Sequence, residues 1–195
     1  DDGSVVVFHD DNIKRMTNRD GYVCKLSKAD LDEIRLAGSD ERIPYFAEVL
    51  ELVDGRVPLL IEIKNSNSNK SGELEQAVLD LLRPYGGEYA VQSFNPYSME
   101  FFKKNAPQIP RGQLSCVFGK KDFTWYKRFV FNRLKVTKIS SPDFISYAGK
   151  DLPNKYVTRT GLPVLAWTIR SNTDMEKVLP HCDNFIFENF IPVIE

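Results

Sequence analysis

Two residues of opposite charge, Glu62 and Lys64, stand two positions apart in the otherwise apolar segment Leu59 to Lys64. Side chains alternate between the faces of a strand, so a strand here would place both charges on one face. Charged side chains are seldom buried without a reason, and this pair could handle a charged ligand locally. A strand at a sheet edge or a structural ion pair would also explain the pattern, although buried pairs contribute weakly to stability.

The second candidate for chemistry is a histidine, His9, which ends the apolar run Val5 to Phe8 and precedes Asp10 and Asp11. An imidazole at a strand end, with carboxylates nearby, is available for proton transfer near neutral pH. A single histidine at such a position is more often a structural residue held by hydrogen bonds. On these residues alone, the structural interpretation is favoured.

Two further patterns have plainer explanations. His181-Cys182-Asp183 looks like a metal triplet, but two histidines and three scattered cysteines provide no set with zinc spacing, so a structural role is favoured. Residues 118–138 interleave Lys and Arg with aromatic residues, as in surfaces that bind single-stranded nucleic acid or lipid. An amphipathic helix with its aromatic residues packed inward and a solvated basic face is favoured instead.

The composition predicts a single globular domain over residues 1–195. Hydrophobic residues make up 42% of the chain, enough to bury a substantial core. The formal net charge is −1, so the whole molecule has no field that attracts nucleic acid or an anionic membrane. No apolar run approaches the roughly 18 residues of a membrane span. Cys24, Cys116 and Cys182 indicate no disulfide framework and fit a reducing compartment, so we expect a cytoplasmic location. Nothing in the sequence indicates an oligomeric state.

From residue 59 onward, short β-branched apolar runs alternate with longer amphipathic stretches, which is typical of βα units with a parallel sheet. The predicted strands are Leu59 to Lys64, Tyr89 to Ser93, Gly112 to Val117, Ile139 to Ile145, Pro163 to Ile169 and Asn184 to Glu188. The predicted helices are Glu73 to Leu82, Pro96 to Asn105, Lys121 to Asn132, Leu152 to Arg159 and Thr173 to Leu179. Six such strands suit an open doubly wound sheet or an incomplete eight-stranded barrel. No glycine-rich phosphate-binding fingerprint follows any of them, which argues against a nucleotide-binding open sheet.

Residues 10–58 interrupt this alternation and are predicted to form an insertion. A helix is expected to begin after Ser27, which together with Asp30 resembles a capping box. A second helix is expected over Tyr45 to Leu52. Beyond the insertion, Ser71 is predicted to cap the helix that begins near Glu73.

Six short motifs follow one another along the chain. They are Val7-Phe8-His9-Asp10, Arg15-Met16-Thr17-Asn18, Gly21-Tyr22-Val23, Ile61-Glu62-Ile63-Lys64, Val91-Gln92-Ser93-Phe94 and Ala166-Trp167-Thr168. In this order they resemble the glycerophosphodiester phosphodiesterase family, and the resemblance extends over nearly the whole chain. It implies an α/β fold of the TIM type, a (β/α)8 barrel, with a small insertion before the Leu59 strand.

The resemblance also implies a reaction, namely metal-dependent hydrolysis of small glycerophosphodiesters to glycerol 3-phosphate and an alcohol. His9 would be the general acid that protonates the leaving alcohol. Glu62 would bind a divalent metal, Mg²⁺ or Ca²⁺, and Lys64 would contact the phosphate. The residues that match pocket-lining motifs at strand ends are Gln92, Phe94 and Trp167.

The chain also departs from the family pattern. The family's His-Arg-Gly and Glu-x-Asp motifs, which would supply a base and two more metal ligands on its first two strands, do not occur in residues 1–195. Because the chain begins abruptly at Asp1, we expect these motifs and two further strands upstream of it. Glu188 stands where the family often has Thr-Asp, so by position it is a candidate pocket residue. Two alternatives stay open: a catalytically inactive barrel that serves as a binding module, and a lipid-headgroup phosphodiesterase on a related barrel.

Overall fold

A computed structural model of the protein describes residues 3–65 and 72–193. Contacts divide the chain into two compact units, Asp1–Pro58 with Gln76–Glu88 and Leu59–Glu75 with Tyr89–Glu195. The prediction of a single domain stays a prediction. Ser71, predicted as a helix cap, lies outside the described residues.

The second unit contains one sheet of six parallel strands. These are β1 (Leu59–Glu62), β2 (Tyr89–Ser93), β3 (Arg111–Ser115), β4 (Phe144–Ala148), β5 (Val164–Ile169) and β6 (Asn184–Phe187). Each strand pairs with the next one in the sequence. A doubly wound sheet reverses its strand order at a switch point, so this consecutive order indicates the winding of a βα barrel. The observed architecture is a curled half-barrel, and closure with eight strands is not confirmed.

Helices fill the connections between strands and the segment before β1. They are α1 (Lys14–Thr17), α2 (Lys28–Glu33), α3 (Phe46–Val53), α4 (Glu73–Leu82), α5 (Pro96–Asn105), α6 (Trp125–Phe131), α7 (Thr137–Ser140), α8 (Lys155–Thr158) and α9 (Asn172–Val178). Short 3-10 turns cover Val23–Lys25, Gly149–Asp151 and Leu179–His181. Among the residues that the structure describes, no helix combines the length and the apolar character needed to cross a bilayer.

Capping side chains explain where two of these helices begin. The Ser27 hydroxyl accepts the backbone N–H of Asp30, and the Asp30 carboxylate accepts the backbone N–H of Ser27, so the predicted capping box is confirmed. At the start of α5, the Asn95 side chain accepts the N–H of Tyr97, and Pro96 occupies the first turn.

The predicted strand Ile139 to Ile145 is wrong over its first half. Thr137–Ser140 form helix α7, and the strand begins only at Phe144. The helix ends at Ser141, whose φ of 41° lies in the left-handed region, and Pro142 follows, a residue that cannot continue a helix. The sequence pattern missed this break because apolar residues lie on both sides of it.

The expectation that His9 ends a strand is also wrong. In the run Val5 to Phe8, Val6 forms an isolated antiparallel bridge with Tyr45, and His9 lies in a bend. Val6 and Phe8 instead pack against a small buried cluster of the first unit, formed by Ile13, Leu31, Ile34 and Ile43. The apolar character of the run therefore reflects packing of Val6 and Phe8 against residues 10–58 and not membership of a sheet.

The strand register places four residues in one row across the sheet of the second unit. Glu62 pairs with Gln92, Gln92 with Gly112, and Gly112 with Phe144. Paired residues of parallel strands point to the same side of a sheet, which we call the Glu62 face. Several side chains on the opposite face are fully buried, among them Val91, Ile145 and Ala166.

Gly112 leaves the space in this row that a neighbouring ring occupies. A Cβ atom at position 112 would lie 2.2 Å from Cε2 of Phe144. Non-bonded carbon atoms contact at roughly 3.5 to 4.0 Å, so a Cβ atom there would overlap with the ring. The ring of Phe144 on β4 therefore fills the space that a side chain at position 112 on β3 would occupy.

Two aspartates close the amino ends of strands. Oδ2 of Asp143 accepts the N–H of Arg111 at 2.9 Å, and Oδ2 of Asp183 accepts the N–H of Val164 at 2.7 Å. Both bonds satisfy backbone donors at the start of a strand. Asp183 of the His181-Cys182-Asp183 triplet therefore has a structural contact, as the sequence favoured.

Candidate functional site

Glu62 and Lys64 form an ion pair at the carboxyl end of β1. Nζ of Lys64 lies 3.0 Å from Oε1 of Glu62, and the two side chains are 33% and 28% exposed. The strand stops at Glu62, before the predicted end at Lys64. Ile63 nevertheless remains fixed, because its N–H donates to the carbonyl of Gln92 and its carbonyl accepts the Ser93 hydroxyl. This anchorage keeps the alternation of side chains and holds both charges together.

Three buried polar groups on the Glu62 face have no hydrogen-bond partner within the described part of the chain. They are Oε1 of Gln92, Oγ of Ser146 and Nε1 of Trp167. Ser146 shares the face of Phe144 two positions earlier, and Trp167 pairs with Ala148 on that same face. Oε1 of Gln113 and Oγ of Ser115, on the opposite face, are unpaired as well. Buried polar groups are normally satisfied, so the three on the Glu62 face suit the binding of a polar ligand there.

Ser146 was missed from the sequence. Its position on the Glu62 face follows from a strand that begins at Phe144. The predicted strand ended at Ile145 and so left Ser146 outside it. The signal was present in the alternation of Phe144, Ser146 and Ala148, once Pro142 is taken as the end of the preceding element.

Aromatic rings lie beside these polar groups. Phe94, which follows β2, meets Trp167 edge to face, with ring centroids 5.6 Å apart. On its other side Phe94 meets Phe118, at 6.3 Å and also edge to face. Such contacts fix ring orientation and give Trp167 a defined position on the Glu62 face.

Glu188 lies beyond the end of β6 and is engaged in an ion pair. Nε of Arg170, which follows β5, donates to Oε1 of Glu188 at 2.5 Å. The side chains are 63% and 46% exposed, so the pair contributes little to stability. Its position at the carboxyl ends of neighbouring strands agrees with the predicted location of Glu188, and its role as a pocket residue stays a prediction.

His9 belongs to a charged cluster of the first unit. Its Nδ1 lies 2.7 Å from Oδ1 of Asp10, and the His9 side chain is 78% exposed. Arg15 donates to both oxygens of the same carboxylate, from Nε at 2.6 Å and from Nη2 at 2.9 Å. The hydrogen bonds from Arg15, followed by the one from His9, hold the pKa of Asp10 well below its usual range.

The ionised Asp10 determines which ring nitrogen of His9 carries a proton in their contact. A carboxylate only accepts hydrogen bonds, so Nδ1 of His9 must carry the proton in this contact. Nε2 is then the nitrogen that can exchange a proton with a ligand. The cluster can therefore orient a histidine for acid–base chemistry, with Arg15 holding Asp10 in place.

The residues that the structure describes do not form a complete metal site. Within 3–65 and 72–193, no three His, Cys, Asp or Glu side chains come together as a group that could hold a metal ion. Glu62 is a single carboxylate, engaged by Lys64. Apart from His9, the residues predicted to line the site lie together in the second unit, on the Glu62 face or at its strand ends. His9 lies in the first unit, in its own charged cluster.

Known proteins resemble this chain over most of its length. The model of the glycerophosphoryl diester phosphodiesterase family matches residues 1–187. A glycerophosphodiester phosphodiesterase of Caldanaerobacter subterraneus subsp. tengcongensis is 28% identical over 190 residues, which cover 91% of this chain and 73% of that protein. An Oleispira antarctica phosphodiesterase, solved in complex with sn-glycerol-3-phosphate, has a TM-score of 0.77 at 22% identity and covers 95% of this chain and 76% of its own.

A second solved structure shows the same fold. The glycerophosphodiester phosphodiesterase of Thermotoga maritima has a TM-score of 0.67 at 20% identity and covers 94% of this chain and 75% of its own. The match of the family model over residues 1–187 is the stronger finding, because it spans both units. The chain therefore belongs to the glycerophosphoryl diester phosphodiesterase family, and it is a phosphoric diester hydrolase.

Proposed function

We propose that this chain hydrolyses glycerophosphodiesters to glycerol 3-phosphate and an alcohol. Membership of the family supports the reaction, and the presence of sn-glycerol-3-phosphate as product in the Oleispira antarctica structure supports this product. The observation that carries the proposal is the Glu62–Lys64 pair, which lies on the same face as three unpaired buried polar groups. That face offers charge for a phosphate and hydrogen bonds for hydroxyl groups.

Lys64 is proposed to contact the phosphate. A phosphodiester is anionic, and an ammonium group compensates the charge that builds up on its oxygens during cleavage. Lys64 is one-third exposed, so its ammonium is accessible to a ligand while its stem is held at the strand end. A phosphate oxygen would take the place of Oε1 of Glu62 as its partner.

Glu62 is proposed as one ligand of a divalent cation, Mg²⁺ or Ca²⁺. Both ions take oxygen ligands, and a carboxylate is the side chain they favour. The residues in view do not complete a ligand set around Glu62, so dependence of the reaction on a cation is part of the proposal and must be measured.

His9 is proposed as the general acid that protonates the leaving oxygen of the alcohol. The contact of Nδ1 with Asp10 leaves Nε2 of His9 for this transfer. Arg15 keeps Asp10 in position from the opposite side. His9 would thus act on the substrate, and Asp10 would act through His9.

Gln92, Phe94 and Trp167 are proposed to shape the pocket for the glycerol group. The amide oxygen of Gln92 can accept a hydrogen bond from a hydroxyl group, and the indole N–H of Trp167 can donate one. Phe94 would contribute apolar surface and keep the indole in place. A pocket with a few directed polar groups on an apolar wall is typical of small-molecule sites.

The proposal is tested by incubating the purified protein with glycerophosphocholine and measuring glycerol 3-phosphate, with Mg²⁺, with Ca²⁺ and with excess chelator. We expect release that depends on the cation. His9→Ala should lower turnover by about 10²- to 10⁴-fold and leave cation binding intact. Glu62→Ala should lose cation binding as well.

A matched control is Lys104→Ala, which removes an exposed ion pair with Glu100 on α5. It should leave both turnover and cation binding unchanged. Equal loss of cation binding in His9→Ala and Glu62→Ala would show that the two roles are assigned wrongly. Absence of release from the folded protein with either cation would contradict the proposed function.

A further inference from the structure

Helix α6 and the loop before it carry a surface that the proposed reaction does not use. This surface, called the α6 patch, consists of the aromatic residues Trp125, Tyr126 and Phe129 and the basic residues Lys120, Lys121 and Lys127. All six side chains are exposed. The sequence favoured aromatic residues packed inward here, and that interpretation holds for only some of them.

The aromatic residues of this region divide into an inner and an outer set. Phe118, Phe123 and Phe131 contact one another. The ring centroids of Phe118 and Phe123 are 4.7 Å apart, those of Phe123 and Phe131 are 5.0 Å apart, and those of Phe118 and Phe131 are 5.6 Å apart. Trp125 and Tyr126, by contrast, are 77% and 62% exposed. Successive residues of an α-helix are about 100° apart, so Trp125, Tyr126 and Phe129 occupy one side of α6. Lys127 follows about 100° beyond Tyr126, with its Nζ 5.9 Å from the ring of Phe123. A fully formed aromatic cluster thus supports the helix from within, and large apolar surface remains outside.

The charge of this region is opposite to that of the chain. Residues 118–138 contain seven Lys or Arg and one acid, Asp122, which is a net charge of +6 in a chain of net charge −1. In the part of the chain that the structure describes, none of the patch lysines forms an ion pair with a carboxylate. Beside the patch, Arg133 and Lys135 lie over the ring of Phe129, at 4.0 and 4.3 Å. The ammonium groups of Lys120, Lys121 and Lys127 are therefore available to an external anion.

Exposed tryptophan and tyrosine beside lysine suit the boundary of a lipid bilayer. Their rings are apolar with one polar atom, so they settle at the level of the headgroups, and lysines are attracted to anionic lipids. Single-stranded nucleic acid also binds aromatic and basic residues, but it requires a groove that follows its backbone. Trp125 and Tyr126 project from the convex surface of a single helix, which favours a flat, anionic lipid surface.

The position of the patch connects it to the candidate site of the same unit. Loop residues 116–124 follow the carboxyl end of β3, the edge at which Lys64 and Phe94 lie. Ring contacts run from the inner aromatic set through Phe118 to Phe94 and from Phe94 to Trp167. A surface bound to the patch would therefore lie near the strand ends that carry the candidate site.

We propose that the α6 patch binds peripherally to the surface of an anionic phospholipid bilayer. Trp125 and Tyr126 insert among the headgroups, and Lys120, Lys121 and Lys127 lie against lipid phosphates. The net charge of −1 excludes attraction by the molecule as a whole and leaves this local attraction intact. Binding requires neither substrate nor catalysis, so it is measured separately from the proposed hydrolysis.

The test is sedimentation of the whole chain with vesicles of phosphatidylcholine, alone or mixed with phosphatidylglycerol. We expect binding to the mixed vesicles, weakened by added salt and weak with phosphatidylcholine alone. Trp125→Ala/Lys127→Gln should lower the partition coefficient by about tenfold or more. The fluorescence of Trp125 should shift to shorter wavelength on binding, and Trp125→Phe should retain binding and lose most of that shift.

The matched control is Tyr22→Ala/Lys25→Gln. It removes an exposed tyrosine and a lysine 5.8 Å from its ring, outside the patch. The control should bind vesicles like the parent protein. Equal binding by the parent and the Trp125→Ala/Lys127→Gln variant, absence of binding to anionic vesicles by the folded parent, or binding of an oligothymidine in preference to vesicles would overturn the proposal.

Discussion

Nζ of Lys64 lies 3.0 Å from Oε1 of Glu62, although β1 ends between the two residues. Both side chains are about one-third exposed, so water screens the attraction between them, and the pair contributes about 0 to 1 kcal/mol to the free energy of unfolding. Its value to the protein must therefore lie elsewhere than in stability.

This relationship predicts how substitution of Lys64 separates stability from activity. Lys64→Met keeps most of the apolar stem and removes the charge. We expect the free energy of unfolding, measured by urea denaturation, to change by less than about 1 kcal/mol. The value of kcat/KM for glycerophosphocholine should fall by at least about 10²-fold because charge compensation at the phosphate is lost. A large loss of stability with a proportionate loss of activity would indicate a structural pair.

Asp10→Asn tests the orientation of His9. The amide is uncharged and holds Arg15 weakly, so we expect kcat to fall by roughly 10- to 100-fold while KM changes little. The pKa of Asp10 is lowered in the folded protein, so its stabilising contribution is present above the unfolded pKa, near 3.9. That contribution is lost as the pH falls through the lower, folded pKa.

The pH dependence of this effect can be measured directly. Urea denaturation of the parent protein and of Asp10→Asn should differ by a constant amount between about pH 5 and 7, and the difference should shrink below about pH 4. Lys104→Ala, at an exposed pair on α5, serves as the control for general charge effects. A difference that grows toward acid pH would have the wrong sign for a lowered pKa.

Trp167→Phe separates ligand binding from packing. The substitution keeps a ring against Phe94 and removes Nε1, a buried donor with no partner among the described residues. The smaller ring loses some packing, and removal of an unsatisfied buried donor offsets part of that loss, so we expect the unfolding midpoint to stay within several degrees of the parent. If the N–H serves the glycerol group, KM should rise about fivefold, the equivalent of one hydrogen bond of about 1 kcal/mol. An unchanged KM with unchanged stability would remove Trp167 from the substrate pocket.

Cys116 is expected to be the slowest of the thiols to react. Burial, aided by the charge of Asp151, raises the pKa of Cys116 to about 11, so the thiol stays protonated at neutral pH. Cys24 is exposed. Iodoacetamide at about pH 8, followed by peptide mass spectrometry, should modify Cys24 first and Cys116 last.

The raised pKa of Cys116 also has a consequence for stability. The neutral thiol favours the folded state fully below the unfolded pKa, near 8.5, and this contribution is lost as the pH rises through about 11. Cys116→Ser, whose hydroxyl does not titrate in this range, should therefore lose less stability than the parent between about pH 8.5 and 11. An equal loss would assign the alkaline dependence to other groups.

Alternation along strands predicted the parts of the site that depend on one strand alone. Glu62 and Lys64 share a face because side chains repeat every two residues, and this needs no knowledge of the neighbouring strands. Ser146 depends instead on where its strand begins. That boundary is set by the left-handed conformation of Ser141 and by Pro142, which interrupt an apolar pattern that looks continuous.

The charged cluster around His9 could be predicted only in part. The sequence placed carboxylates next to the imidazole, and Asp10 does contact it. The bidentate contact comes from Arg15 on helix α1, which follows a bend. No periodic sequence pattern encodes the distance between Arg15 and Asp10. The apolar run before His9 predicted a strand because β-branched residues favour strands, but packing on the core of the insertion determines its conformation instead.

The contact between Gly112 and Phe144 constrains which replacements the two positions can accept during evolution. A side chain at position 112 collides with the ring at position 144, so enlargement of the first is tolerated only where the second has become smaller. In relatives with this fold, the two positions should therefore have changed together. Because both stand in the row of Glu62 and Gln92, such paired replacements would redistribute bulk along that row from one strand to its neighbour, while the total volume stays the same.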